Sequence, residues 1–389
     1  MDPNAVVAII GMVILSGVFL MHFSKKTGWP LSLVLLILGI FIGPVFHIIN
    51  VQDIQSMVHS FAIIVLILVL FDTGYDINLA KIKQSIFEST GLALVGVFST
   101  LFVVFLIGRY LLHFDVYLSI LFGALLASTD LTIIAPLMSN MKLKQKLKDS
   151  LDIEATLNSV FAVIIAIIMG AMIMYTTNFA EAVGRGLIYH VVTGVIVGFI
   201  IGFILLKGMH HLISEDMPAI ITVGAILVVY SVTELIGASG VIAALVVGLL
   251  YGNSDPAPPK FIMLFGENLQ FILVTFVYIL LGAMITFDAF FEYSLIAIVL
   301  VSSVILVRYF STRLVLFNES LLAQRLVGVA GPRGIISAIL VLTYAHLFPN
   351  PQMIISLGFA VILCTSLSVF LMPIIVEKTN NRTRQTPRK

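Results

Sequence analysis

Apolar residues in this chain do not alternate with polar ones at the period of an amphipathic strand or helix. They run in continuous blocks separated by short polar connections. A helix that crosses a bilayer needs roughly 20 such residues, and in lipid a helix satisfies every backbone polar group within its own segment. On that rule the chain divides into thirteen spans: 4–23, 30–49, 56–75, 89–112, 116–138, 151–175, 186–206, 217–236, 239–253, 262–287, 293–316, 326–347 and 351–376. The ninth is short and glycine-rich. The pattern predicts an all-α polytopic membrane protein without a soluble domain between the spans.

Composition agrees. Of 389 residues 60% are hydrophobic and 11% charged, with a mean hydropathy of +1.14, against about 25% charged in an ordinary soluble domain. A net charge of +1 gives no reason to expect nucleic acid. The single cysteine, Cys364, lies in an apolar run and supports neither a disulfide nor a metal site, and no cofactor is expected. Met1–Phe23 is followed by Ser24-Lys25-Lys26 with no small-residue cleavage site, so it reads as a first span and not a signal peptide.

Lys and Arg in the connections set the expected orientation. Lys25, Lys26, Lys81, Lys83, Lys142, Lys144, Lys146, Lys148, Lys207, Lys260, Arg313, Arg325 and the basic tail fall on one side; Arg109 and Arg185 fall on the other. The N-terminus is therefore expected outside and the C-terminus in the cytoplasm of a cell-membrane protein. Residues 377–389 form a short basic cytoplasmic tail suited to anionic lipid.

Few ionisable residues lie within the spans: Asp72, Asp130, Glu154, Glu234, Glu267, Arg308 and Arg333. Those near span ends reach the interface easily and read first as structural charges. Asp130 is different. It lies about fourteen residues into its span, near mid-depth at 1.5 Å per residue, where a charge costs at least a few kcal/mol and normally faces a bundle interior or a wet cavity.

Two spans carry signs of interruption. The fifth contains Ser128-Thr129-Asp130 and then Pro136; the twelfth contains Gly331-Pro332-Arg333-Gly334 followed by Ser337. Proline removes a backbone donor, and glycine loosens a helix. The two spans belong to opposite halves of the chain and run in opposite directions, which points to an inverted-repeat transporter with its site at the repeat interface. The sixth span places Glu154 and Asn158 four residues apart on one face. Both are too polar for lipid, so that face turns inward. Arg333 is the expected partner of Glu154, while Asn158 and Ser159 are expected to line a cavity with Thr129 and offer neutral oxygens to a desolvated cation.

These residues resemble the sodium/proton antiporter family of the NhaP and NHE type, within the monovalent cation:proton antiporter superfamily. The likeness rests on Ser24-Lys25-Lys26-Thr27-Gly28-Trp29-Pro30 before a span that reaches Gly43-Pro44, on Leu70-Phe71-Asp72-Thr73-Gly74-Tyr75 with Asp72 where the family has Glu, on Gly123-Ala124-Leu125-Leu126-Ala127-Ser128-Thr129-Asp130, on Glu267 before Leu280-Leu281-Gly282, and on Gly331-Pro332-Arg333-Gly334. It implies two crossed broken helices, a core bundle (about 89–175 and 293–376), a dimerisation part (about 4–75 and 217–287) joined by a linker helix (about 186–206), and a homodimer in the bilayer. It implies electroneutral exchange of Na+ or Li+, or K+, for H+ by alternating access. Asp130 would carry the ion and proton, with Thr129, Asn158, Ser159 and Asp72 as further binding residues and a monovalent cation held at Asp130, Thr129 and Ser159. Glu154 and Arg333 would form a structural pair, and Arg308 would face the broken helices.

One departure is prominent. The family's sixth span carries Asn-Asp, or Asp-Asp in electrogenic relatives; here the pair reads Asn158-Ser159. Loss of that carboxylate leaves a rival reading open: a transporter of the same fold for another solute, or a sensor that moves nothing. An intramembrane aspartyl protease, which needs two facing aspartates with one in Gly-x-Gly-Asp, is excluded by the absence of that motif. The chain is not expected to be an enzyme.

Overall fold

The computed structural model describes residues 3–48, 51–77, 79–130, 133, 145–175, 188–212, 218–254, 260–317, 319–329 and 331–369, and every regular element among them is helical. In chain order these are α1 (Pro3–Thr27), α2 (Leu31–Ile40) with a π turn at Phe41–Val45, α3 (Val51–Asp76), α4 (Leu79–Tyr110), α5 (Val116–Leu125), α6 (Gln145–Tyr175), α7 (Ile188–Leu212), α8 (Pro218–Leu235), α9 (Gly240–Gly252), α10 (Lys260–Ala283), α11 (Phe287–Glu292), α12 (Ser294–Val315), α13 (Leu321–Val329), α14 (Ile335–Tyr344) with a 3-10 turn at Ala345–Leu347, and α15 (Pro351–Ser368). Six described stretches are long and apolar enough to cross a membrane: Val58–Asp76, Thr90–Tyr110, Lys148–Met174, Tyr189–Lys207, Ser294–Val315 and Pro351–Ser368. Shorter apolar helices accompany them, and two of these, Val116–Leu125 and Ile335–Leu347, belong to the interrupted spans.

Helix starts follow from local chemistry. The Asp115 carboxylate accepts the Leu118 N–H at 2.9 Å and begins α5. Asn350 caps Met353 at 3.2 Å, with Pro351 in the first turn of α15, where its missing N–H has no partner to lose. Glu234, read from sequence as a structural charge, accepts the Gly240 N–H at 2.9 Å and so helps start α9.

Packing falls into two groups. In one, α4 lies against α5, α6 and α12, and α12 lies against α13 and α15. In the other, α9 lies against α3, α7 and α8, and α10 against α1 and α2. Helix α14 touches both, packing on α15 and also on α3 and α10. Small residues permit the closest approach: a Cβ added at Gly248 would meet the Phe71 carbonyl, and one at Gly252 the Tyr75 carbonyl. Backbone contact of this kind replaces the hydrophobic drive that lipid does not supply between helices.

Both interrupted spans are broken as expected. Helix α5 stops at Leu125, its last turn tightens through Leu126 N–H to Gly123 O and Ala127 N–H to Ala124 O, and residues 128–130 are not helical. Residues 331–334 separate α13 from α14. The expected continuation of span five beyond Asp130, except Ile133, lies outside the described residues, as do the tail and the Glu267 side chain.

Candidate functional site

The two non-helical segments cross and bind each other. The Asp130 N–H donates to Pro332 O at 2.9 Å, and the Asp130 Oδ2 accepts the Ile335 N–H at 3.2 Å. That N–H belongs to the first turn of α14, where backbone donors have no intrahelical partner and the helix carries partial positive charge. Arg333 makes the reciprocal contact. Its Nη1 donates to Ala127 O at 2.8 Å and Ser128 O at 3.1 Å, carbonyls left open where α5 stops, and its Nη2 donates to Thr100 Oγ1 at 3.0 Å. An acid thus closes the amino end of one half-helix, and a base closes the carboxyl end of the other. Gly334 makes the crossing possible, because a Cβ there would overlap the Asp130 side chain.

The expected pairing of Glu154 with Arg333 is corrected. Glu154 is held by Arg308, with Arg308 Nη1 bonded to Glu154 Oε1 and Nη2 to Oε2 at 2.9 Å, both side chains being buried. The physical reason is that Arg333 Nη1 is engaged by the Ala127 and Ser128 carbonyls just beyond α5 and Nη2 by Thr100. Arg308 reaches Glu154 past Gly96, where an added Cβ would lie 3.5 Å from both Arg308 Nη1 and Glu154 Oε1. Arg308 also faces the second broken span, as the family likeness implied: a Cβ at Gly331 would lie 2.8 Å from its Nε.

Asn158 joins this pair to the segment after α5. Its Nδ2 donates to Glu154 Oε1 at 3.2 Å and to Thr129 Oγ1 at 2.9 Å, while Oδ1 is buried without a hydrogen-bond partner among the described residues. Asn158 holds Thr129 in place and is not on the cavity wall, which differs from the expectation that it lines the cavity. Ser159 does line it, with its hydroxyl 3.0 Å from that of Ser128 and 3.5 Å from Thr129 O.

A cavity of ≈140 Å³ opens onto this crossing. Asp72, Thr129, Asp130 and Ser159, four residues singled out in the sequence, lie on its wall, and Ser128, Asp76 and Asp152 join them. Those last three were missed, although spacing carried a signal. Asp72 and Asp76 are four apart on α3; Asp152 and Ser159 are seven apart on α6, so each pair shares a helix face. Asp76 and Asp152 are exposed and stand at the rim, whereas Ser128, Thr129 and Ser159 are buried at the inner end.

Among the described residues the side chains of the wall offer oxygen from carboxylates, hydroxyls and the amide of Gln270, a set that suits a hard cation and not a soft metal. Among the described residues no group of three or more His, Cys, Asp or Glu is placed to hold a metal ion.

The chain is similar to transport proteins along most of its length. It is 23% identical over 364 residues to Na+/H+ antiporter 1 of Methanocaldococcus jannaschii, covering 88% of this chain and 84% of that one. It is 23% identical over 291 residues to the K+/H+ antiporter NhaP of Alkalimonas amylolytica, covering 72% of this chain and 50% of the relative, so it spans only half of that protein. The solved structure of the sodium proton antiporter MjNhaP1 from M. jannaschii superposes with a TM-score of 0.85 at 21% identity, over 97% of this chain and 99% of that one. The fold is therefore shared. The family described as "Sodium/hydrogen exchanger, transmembrane" matches residues 11–378, and on that match the chain belongs to the sodium/hydrogen exchanger family.

Proposed function

We propose that the protein is a secondary monovalent cation/proton antiporter in which Asp130 takes up either a proton or a cation. The observation that carries this reading is the placement of one carboxylate at the crossing of two broken helices, on the wall of a cavity whose rim is acidic. Binding of a cation at Asp130 displaces its proton, and binding of a proton displaces the cation. One carboxylate exchanges one charge for one charge, so transport is electroneutral. Thr129 and Ser159 supply neutral oxygen beside it, and Asp72 a second acidic group on the same wall.

Lys81 and Lys83 at the start of α4 and Lys146 and Lys148 at the start of α6 lie at the helix ends that carry Asp76 and Asp152, so the cavity opens to the cytoplasm by the charge asymmetry of the chain. Helices within 89–175 and 293–376 form the moving core, those within 4–75 and 217–287 the dimerisation part, and 186–206 the link between them. Alternating access carries the core past the dimerisation part in a homodimer. A cavity of ≈140 Å³ has room for an ion with some of its water.

Purified protein in liposomes under a proton gradient tests the proposal. Sodium, lithium or potassium collapses the gradient with wild-type protein, and Asp130→Asn removes the response. Normal exchange by Asp130→Asn would sink it.

A further inference from the structure

Ser128 stands out among the residues the sequence did not single out. Its hydroxyl meets that of Ser159 at 3.0 Å, both side chains are buried, and both lie on the wall of the cavity that holds Asp130. The Thr129 carbonyl lies 3.5 Å from the same Ser159 hydroxyl. Each hydroxyl has two acceptor lone pairs and a freely turning O–H. The bond between the two serines occupies one lone pair of one partner and leaves the others for a cation. Three neutral oxygens, two from the segment that follows α5 and one from α6, therefore converge where a second carboxylate is absent.

We propose that Ser128 and Ser159 form the neutral half of the ion site and that this pair selects potassium over sodium and lithium. The inference rests on the antiport reading and adds to it a ligand and a preferred cation. A carboxylate is a strong-field ligand that repays a small ion for giving up its tightly held water. Hydroxyl and carbonyl oxygens have weaker fields, so they favour the larger ion, whose shell is more easily removed. With Ser159 on α6 where the family has a second acid, the smaller ions lose much of their advantage.

The experiment is cation-driven proton exchange in liposomes of purified full-length protein, with potassium, sodium and lithium offered in turn to wild type, Ser128→Ala, Ser159→Ala and Ser159→Asp. Wild type shows its lowest KM with potassium. Each alanine variant raises that KM about tenfold, the equivalent of 1.4 kcal/mol, and Ser159→Asp brings the sodium KM below that for potassium. Ser128→Cys keeps the volume while replacing a hard oxygen with sulfur, and it gives the same rise if the alanine variant does not fold. A wild-type preference for sodium or lithium overturns the proposal, as do potassium KM values unchanged in the Ser128 and Ser159 variants; either result leaves antiport itself standing. Wild-type liposomes that exchange no cation overturn the antiport reading and this inference together.

Discussion

The Asp130 carboxylate accepts the backbone N–H of Ile335 at 3.2 Å, so the acid of one broken helix closes the amino end of the other. Its charge therefore faces both the cavity and the positive end of α14. This double duty separates two substitutions. Asparagine at 130 keeps a carbonyl oxygen that accepts the Ile335 N–H, and it loses the charge. Alanine also removes the acceptor and leaves a half-helix donor unsatisfied, at a cost of about 1–3 kcal/mol. Asp130→Asn is therefore expected to unfold near the wild-type temperature in detergent while being inactive, and Asp130→Ala to unfold clearly lower. Equal loss of stability in the two would show that the Ile335 contact contributes nothing to the fold.

Competition at one carboxylate fixes the sign of the pH response. In the proposed exchange proton and cation compete for one site, so acidification raises the apparent KM for the cation and leaves the maximal rate at saturating cation unchanged. Initial rates measured over a matrix of pH and cation concentration check this. A maximal rate that falls with acidification at constant KM would mean that the proton acts at another group.

Gly334 is the position at which an added methyl would do most harm. Its Cβ would overlap the Asp130 side chain, against a segment already fixed by the Asp130 N–H to Pro332 O bond. Overpacking at such a site costs about 1–3 kcal/mol. Gly334→Ala is expected to lower the unfolding temperature and to abolish exchange, because the crossing can accept the methyl only by moving the carrier carboxylate. Thermal unfolding and transport, measured on one preparation, report the two effects. Full transport in this variant would mean that the segments cross with more room than the structure gives them.

Much of the architecture was legible because lipid imposes a harsh rule on sequence. Apolar blocks of span length, Gly331-Pro332 and the isolated Asp130 each mark a place where the ordinary helix in hydrocarbon is permitted or broken. The site itself was half legible. Asp72, Thr129, Asp130 and Ser159 reach one cavity as expected. The partner of Glu154 was not readable, since two buried arginines competed for it and the choice depends on a tertiary fact: where the open carbonyls of α5 end up. Arg333 goes to Ala127 and Ser128, and Arg308 is left for Glu154. Ser128 was obscured for a similar reason. A serine beside Thr129 and Asp130 reads as part of a breaking signal, and only the position of α6 reveals that it faces Ser159.

The Glu154–Arg308 pair permits a sharp test of that reassignment. Both side chains are buried, at 1% and 5% exposure, so removing either partner strands a charge and costs about 3–5 kcal/mol. Removing both leaves no stranded charge. Glu154→Gln and Arg308→Met are each expected to destabilise strongly, and the double variant to recover a large part of the loss. The corresponding cycle of Glu154→Gln with Arg333→Met shows no such recovery, because the Arg333 donors serve Ala127, Ser128 and Thr100 and their loss opens α5 whether or not Glu154 is charged. Unfolding temperatures of the five variants and wild type in one detergent give both coupling energies. A coupling larger for Arg333 than for Arg308 would restore the pairing that the sequence alone suggested.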